Sequence, residues 1–311
     1  MAKSLITGGA GFIGSNLAAI LSEQGEEVVV LDNLKSGYLS NLAHLKNIEF
    51  IEGDIRDNKL LKSIFNNINR VYHLAAEISV PASMQTPLET EDINTKGTIN
   101  ILKCAVESKV KSFFFASSAA VYGDSEVCPK KTDMLPAPVS PYAISKLSGE
   151  YYTSMFAREY GLNAVIGRFF NVFGERQDPT SPYSAAIPVF ISRAISGSDI
   201  SIYGDGTQTR DFIFVKDLCR IIISLCKTNT GLYNIGYGEK TIINNLVNTI
   251  ISKTGSKSKV IYAPKRSGDV RFSFADSSET LKLIPFELDG FEKGLQITIE
   301  HYKSKLENTV S

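Results

Sequence analysis

Apolar and polar positions alternate in a regular rhythm through the first half of this chain. Ser4–Asp32 opens with a short apolar run and passes through a glycine-rich loop and a helical segment. It closes with a second apolar run, Val28–Leu31, and an acid. Further apolar runs at Ile48–Glu52, Val71–Ala76 and Lys111–Ser118 each predict a strand. Between them, Asn58–Asn67, Glu91–Ser108 and about Ser140–Tyr160 read as helices. The run Phe113-Phe114-Phe115 suits a strand buried on both faces. Strand and helix patterns in alternation predict an α/β fold with a parallel, doubly wound sheet. From Arg168 the rhythm loosens. A strand exits through Arg168–Gly174, a helix follows at about Ala185–Ser196, and Tyr203-Gly204-Asp205-Gly206 makes a turn. Arg210–Phe214 predicts a strand, and Val215-Lys216-Asp217 opens a helix. Ile242, Leu246, Val247 and Ile250 fall at helical steps within Thr241–Thr254, and Gly290–Asn308 predicts a final amphipathic helix. The expected organisation is a first domain over residues 1–167, joined by about 211–236, interleaved with a smaller α/β substrate-binding lobe over 168–311.

The glycine loop carries the first chemistry. Gly8, Gly11 and Gly14 stand at three-residue steps between a strand and a helix. Gly8 allows the tight turn, Gly11 a close backbone approach to a pyrophosphate, and Gly14 helix-to-sheet packing. The helix start, at Phe12 and Ile13, offers unpaired N–H groups to phosphate oxygens. Asp32 ends the second strand, where a carboxylate accepts from adenosine ribose hydroxyls. An acid there favours NAD over NADP. The pattern predicts a dinucleotide site on a Rossmann-type sheet. Leu74-Ala75-Ala76 places small residues at another strand's carboxyl end, where ligands of open α/β sheets bind. Asp54 follows a strand end and would meet an adenine amino group or cap its own loop. Asn94 would reach the cofactor or face solvent. His73, inside a strand, reads as a hydrogen-bonded core histidine.

Totals narrow the partners. The chain has 311 residues, with Lys+Arg and Asp+Glu both at 33, so it carries no global field for nucleic acid or a membrane surface. The four cysteines, Cys104, Cys128, Cys219 and Cys226, form no C-x-x-C pair, and His44, His73 and His301 do not cluster with them. No metal site is expected, and free thiols in a reducing compartment are. Met1-Ala2-Lys3 runs straight into the first strand, and no apolar run approaches a membrane span. The expectation is a cytoplasmic protein.

Tyr142 and Lys146 stand four apart at a helix start, on one face. A free phenol titrates near ~10, too high for a good base at neutrality. A neighbouring ammonium and a nicotinamide cation would both favour phenolate. Tyr142 would then take a proton from a substrate hydroxyl, while Lys146 also holds ribose hydroxyls. Ser118, at an adjacent strand end, would hydrogen-bond the same substrate oxygen.

Together, Gly8-x-x-Gly11-x-x-Gly14, Ser118, Tyr142-x-x-x-Lys146 and Arg168-Phe-Phe-Asn171-Val-Phe-Gly174 resemble the extended short-chain dehydrogenase/reductases, most closely the nucleotide-sugar 4-epimerases. The resemblance runs from Lys3 to about Leu283. It implies a tightly held NAD, a UDP-sugar substrate, and a homodimer built on the helices at 91–108 and 141–160. It carries cofactor contacts onto Asp32, Asn33, Asp54, Ile55, Leu74, Ala75, Ala76, Asn94, Ser117 and Phe170, beside the glycine loop. It places Asn171, Arg210 and Arg266 at the UDP diphosphate. Ile187, Pro188 and Tyr203 fall around the uracil and ribose, and Asp269 at the UDP-ribose. Arginine suits the diphosphate because its planar fork matches phosphate oxygens.

Two features narrow the implied reaction. Dehydratases of this family place an Asp-Glu pair just after the serine, where this chain has Ala119-Ala120. Water elimination therefore lacks its acid and base, and 4-epimerisation remains. Epimerases restricted to glucose and galactose can carry a bulky Tyr where this chain has Ser273, which leaves volume for an acetamido group. Arg176-Gln177-Asp178-Pro179 also resembles epimerases of N-acetylated sugars. The expected substrates are UDP-N-acetylglucosamine and UDP-N-acetylgalactosamine. The alternatives are UDP-glucose and UDP-galactose, then UDP-glucuronate, and a non-catalytic NAD-binding sensor.

Overall fold

Seven strands form the main sheet of the computed structural model, which describes residues 2–180, 185–265 and 270–310. In chain order, β1 (Lys3–Thr7), α1 (Phe12–Glu23), β2 (Glu27–Asp32), β3 (Ile48–Glu52), α2 (Asn58–Ile64) and β4 (Arg70–His73) come first. They are followed by α3 (Val80–Gln85), α4 (Pro87–Glu91), α5 (Gly97–Glu107), β5 (Ser112–Ser118), α6 (Pro141–Tyr160) and β6 (Ala164–Phe169). The chain continues through β7 (Asn171–Phe173), α7 (Ala186–Ile195), β8 (Ile200–Tyr203), β9 (Thr209–Arg210), β10 (Phe212–Phe214) and α8 (Val215–Thr228). It ends with β11 (Gly231–Ile235), β12 (Thr241–Ile242), α9 (Ile243–Thr254), β13 (Val260–Ala263), β14 (Phe272–Ser273), α10 (Ser278–Lys282) and α11 (Gly290–Val310).

The sheet order is β11-β6-β5-β4-β1-β2-β3, and β1 to β6 run parallel. This is the doubly wound architecture that the alternating pattern predicts. Strand order reverses between β1 and β4, so the crevice that binds ligands in such sheets opens at their carboxyl ends, after Thr7 and His73. Phe113, Phe114 and Phe115 are all at most 2% exposed, which confirms a strand covered on both faces. Leu5, Val29, Leu31, Val71, Ile101, Leu102 and Phe156 share one core with Phe113 and Phe115.

The chain divides into two compact units. One comprises 1–123, 135–169 and 219–233; the other comprises 124–134, 170–218 and 234–311. The second unit contains a three-stranded sheet, β12-β9-β14, and the pairs β10-β7 and β13-β8.

Three elements differ from their sequence pattern. The helix expected at Glu91–Ser108 starts earlier and contains one π-type turn, Asp92–Lys96, between α4 and α5. Such turns widen the helix and re-aim a side chain, here Asn94. The strand expected over Arg210–Phe214 breaks at Asp211, whose fully buried carboxylate binds three backbone N–H groups. The strand expected through Ala76 ends at His73, where Leu74–Ala76 leave the sheet. Among the described residues no helix is long and apolar enough to cross a membrane.

Candidate active site

The loop after β1 shows which glycines serve packing and which leave space. Gly8 has φ +72, and a Cβ there would lie 2.8 Å from the Ala75 nitrogen. A Cβ on Gly14 would lie 2.2 Å from the Gly8 carbonyl oxygen, so α1 can approach the loop only through glycine. Gly11 is different: its Cβ would meet only the Gly8 oxygen, at 3.3 Å. Protein packing alone does not account for this bare backbone at the start of α1, whereas a pyrophosphate does. Gly11 caps α1 without a side-chain hydrogen bond, so the N–H groups that follow, at Phe12 and Ile13, suit phosphate oxygens. Asp32 is buried; its Oδ2 accepts from the Ala10 N–H at 2.9 Å and its Oδ1 from the Leu34 N–H at 2.9 Å. A carboxylate has about four acceptor positions, so two remain for ribose hydroxyls. The loop and the acid therefore fit a dinucleotide. Gly37 completes the cradle: a Cβ there would lie 3.0 Å from Asp32 Oδ2.

The other expected cofactor residues divide. Asn33 and Asp54 meet, Asn33 Nδ2 donating to Asp54 at 3.2 Å. Asp54 is also gripped by Arg56 at 2.8 Å, and this guanidinium holds its carboxyl down to about 2. Asp54 thus caps its loop as an ionised acid. Ile55 is 5% exposed and packs against Gly97, so its side chain belongs to the core. Phe170 is likewise buried. Leu74, Ala75 and Ala76 are half-buried at the crevice, with the Ala75 N–H donating to Thr7 Oγ1 at 3.2 Å.

Asn94 neither faces solvent nor has its amide open to a ligand. It is buried, accepts from the Glu77 N–H at 2.7 Å, and donates to the Glu77 carbonyl and to Ser145 Oγ, each at 2.9 Å. The π-type turn aims it between the β4 exit and α6. Ser117 also departs from expectation. Neighbours on a strand face opposite sides, and the Ser117 hydroxyl donates to Glu150 at 2.5 Å, which removes its side chain from a cofactor role. His73 is the satisfied core histidine expected: Nδ1 meets Thr7 Oγ1 at 2.7 Å and Nε2 meets Thr98 Oγ1 at 2.9 Å. Burial first, then the charge of Lys146, push it down to about 3, so the ring is neutral.

Ser118, Tyr142 and Lys146 converge. Ser140 caps α6, accepting from the Ala143 N–H at 3.2 Å, and Pro141 fills the first helical position. Tyr142 therefore sits in the first turn, where its N–H donates to Ser83 Oγ at 3.2 Å. α6 lies close on β5 because residue 149 is glycine; a Cβ there would sit 2.2 Å from the Phe115 ring. That approach buries Lys146, whose Nζ donates to the Ala116 carbonyl at 2.9 Å and stands 5.9 Å from the Tyr142 ring centroid. Burial pushes Lys146 down to about 8. The Ser118 hydroxyl lies near enough to the Tyr142 phenol to favour its ionised form.

Burial adds an electrostatic effect that the sequence did not show. In the chain alone, the Tyr142 phenol is held above its ordinary value. Burial is the larger cause, and the neighbouring Ser118 hydroxyl opposes it. Behind this centre lies a pair that the sequence reading missed. Glu150, four residues past Lys146, binds Arg168 through bonds of 2.8 and 2.7 Å. The Arg168 guanidinium stacks 4.7 Å from the Tyr122 ring centroid. The i+4 spacing from Lys146 was the available signal.

In the second unit, β9 brings Arg210 beside Ser273 of β14 as Cα partners, with Thr241 of β12 on the other side. Asn171 begins β7, opposite Phe212, and its Nδ2 donates to the Asp211 carbonyl at 3.1 Å. Ile187 and Pro188 are buried in α7, so neither offers a base a side-chain face, as a sandwich would need. Tyr203, 38% exposed, does. Arg266 and Asp269 lie outside the described residues.

Comparison with known proteins gives one family, with 4-epimerases, decarboxylases and dehydratases among the relatives. The profile of the NAD dependent epimerase/dehydratase family matches residues 4–236. A putative UDP-glucose 4-epimerase of Methanocaldococcus jannaschii is 37% identical over 304 residues, covering 96% of this chain and 98% of that protein. A UDP-N-acetylglucosamine 4-epimerase from Methanobrevibacter ruminantium, solved with UDP-N-acetylmuramic acid, superposes with a TM-score of 0.94 at 38% identity, covering 98% and 99% of the two chains. A Thermotoga maritima UDP-glucose 4-epimerase, solved with UDP-glucose, gives 0.93 at 36% identity over 98% and 99%.

Proposed function

Because this chain belongs to the NAD dependent epimerase/dehydratase family, we propose that it is an isomerase acting at carbon 4 of UDP-hexoses, with UDP-N-acetylglucosamine and UDP-N-acetylgalactosamine as its pair. The observation that carries the reading is the convergence of Ser118, Tyr142 and Lys146 at the end of β5 and the start of α6. Ala119 and Ala120, in the turn just after Ser118, provide no acid or base for elimination.

Gly8, Gly11, Gly14 and Asp32 would hold the NAD, with Tyr142 and Lys146 reaching its nicotinamide end. When bound, NAD supplies a reversible hydride acceptor for carbon 4 and, when oxidised, a positive charge that favours phenolate. Tyr142 takes the proton of the 4-hydroxyl and returns it after the 4-keto sugar has turned over. Ser118 holds the sugar oxygen and keeps the Tyr142 hydroxyl oriented. Lys146, fixed by the Ala116 carbonyl, offers its remaining donors to ribose hydroxyls. Arg210 and Asn171 are assigned to the diphosphate. Binding energy at UDP, remote from carbon 4, retains the intermediate while the sugar ring stays loosely held.

Incubation with UDP-N-acetylglucosamine, followed by NMR of the products, tests the function. UDP-N-acetylgalactosamine is expected without added reductant, and absence of any epimer contradicts it. The Methanocaldococcus and Thermotoga relatives favour a second reading, UDP-glucose and UDP-galactose, which relative rates on plain and acetylated sugars decide. Ser273 supports the acetylated pair. Ser273→Tyr is expected to lower kcat/KM for the acetylated sugar by ~10-fold or more while sparing UDP-glucose. Equal loss on both sugars would remove Ser273 from specificity.

A homodimer through residues 91–108 and 141–160 is part of this reading. α6 exposes Ile144 (47%) and Tyr151 (64%), seven residues apart and so on one face. Tyr151→Asp is expected to give a monomer in sedimentation, and an unchanged mass would exclude this face.

A further inference from the structure

We propose that Asp211 is a positioning residue for the nucleotide diphosphate, its carbonyl holding Asn171 while its carboxylate fixes the backbone around Arg210 and Ser273. The inference rests on the reading just given for those three residues. Asp211 is fully buried. Its Oδ1 accepts from the Tyr237 N–H at 3.0 Å; its Oδ2 accepts from Gly238 at 2.9 Å and from Ala275 at 3.0 Å. The backbone of the same residue works in the other direction. The Asp211 carbonyl accepts from both the N–H and the Nδ2 of Asn171, at 3.0 and 3.1 Å.

Three residues assigned to substrate lie next to these bonds. Asn171 is held directly. Arg210 precedes Asp211 and is set by the break between β9 and β10. Ser273, the strand partner of Arg210, lies two residues before Ala275. The protein is shaped around this carboxylate. Residue 236 is glycine, and a Cβ there would stand 2.6 Å from Asp211 Oδ2. The acid is held by amides rather than by a cation at its oxygens, and burial pushes it up to about 6 against those three bonds.

The test is Asp211→Asn in the full-length protein with its cofactor. The substituted amide presents N–H to a backbone N–H, so one segment must shift. KM for the UDP-hexose is expected to rise ~10-fold or more, the effect of losing buried hydrogen bonds. kcat should stay within ~3-fold and NAD content should be unchanged, because this acid touches neither the reacting carbon nor the dinucleotide loop. Gly236→Ala presses on the same carboxylate from outside and should shift KM in the same direction, which keeps the test sharp if Asp211→Asn fails to fold. Unchanged KM in a folded Asp211→Asn, or in Gly236→Ala, overturns the positioning role alone. Failure of the unaltered protein to bind any UDP-hexose overturns the functional reading on which it rests.

Discussion

Replacing Tyr142 by phenylalanine is expected to lower kcat by ~10²–10⁴-fold, the usual contribution of a positioned proton-transfer group. The change removes one oxygen and keeps the ring, so α6 and the Ser83 contact to the Tyr142 backbone should persist. NAD should remain bound, since the glycine loop and Asp32 are untouched. The size of the effect follows from the site. Ser118 lies beside this phenol, and Ala119 and Ala120, which follow it, carry no group that titrates. Turnover within ~3-fold of the unaltered enzyme would remove Tyr142 from the chemistry. The raised phenol also makes a directional statement. The chain by itself favours the protonated form, because burial outweighs the Ser118 hydroxyl. On this reading, the positive charge of bound NAD is expected to favour the phenolate.

The second large effect concerns stability. Glu150→Gln removes the Glu150 charge from Arg168, whose side chain is 3% exposed. Burial alone would loosen the proton on this guanidinium; Glu150, then Tyr122, reverse that and hold it firmly. Breaking a buried pair by removing one partner costs ~3–5 kcal/mol, whereas replacing both by apolar groups is often neutral. Glu150→Gln should therefore lower the urea midpoint sharply, and Glu150→Leu combined with Arg168→Leu should recover most of it. The pair joins the helix bearing Tyr142 and Lys146 to β6 and, through Ser117, to the strand bearing Ser118. A loss below ~1 kcal/mol in Glu150→Gln would show that the pair is not a structural lock.

What the sequence disclosed and what it hid have physical causes. The sheet was legible because Val28–Leu31 and Phe113–Phe115 are apolar without alternation, which only a strand covered on both faces tolerates. The placement of Ser118, Tyr142 and Lys146 was legible because helix spacing and a strand end fix those positions locally. Long-range partners were not. Nothing near Asn94 in the sequence reveals that a π-type turn delivers it to Glu77 and Ser145. Ser117 was expected at the cofactor, yet strand alternation sends its hydroxyl to Glu150. Ile187 and Pro188 matched a family pattern by position, yet α7 turns both inward. Gly149 carries no motif; its role exists only because Phe115, 34 residues earlier, lies against it.

The most direct test of the central claim is NMR of carbon 4 after incubating the enzyme with UDP-N-acetylglucosamine in deuterium oxide. Hydrogen that leaves carbon 4 as hydride and returns to it never exchanges with water. The account predicts UDP-N-acetylgalactosamine with protium at carbon 4. Deuterium at that carbon, or recovery of the starting sugar alone, would contradict it.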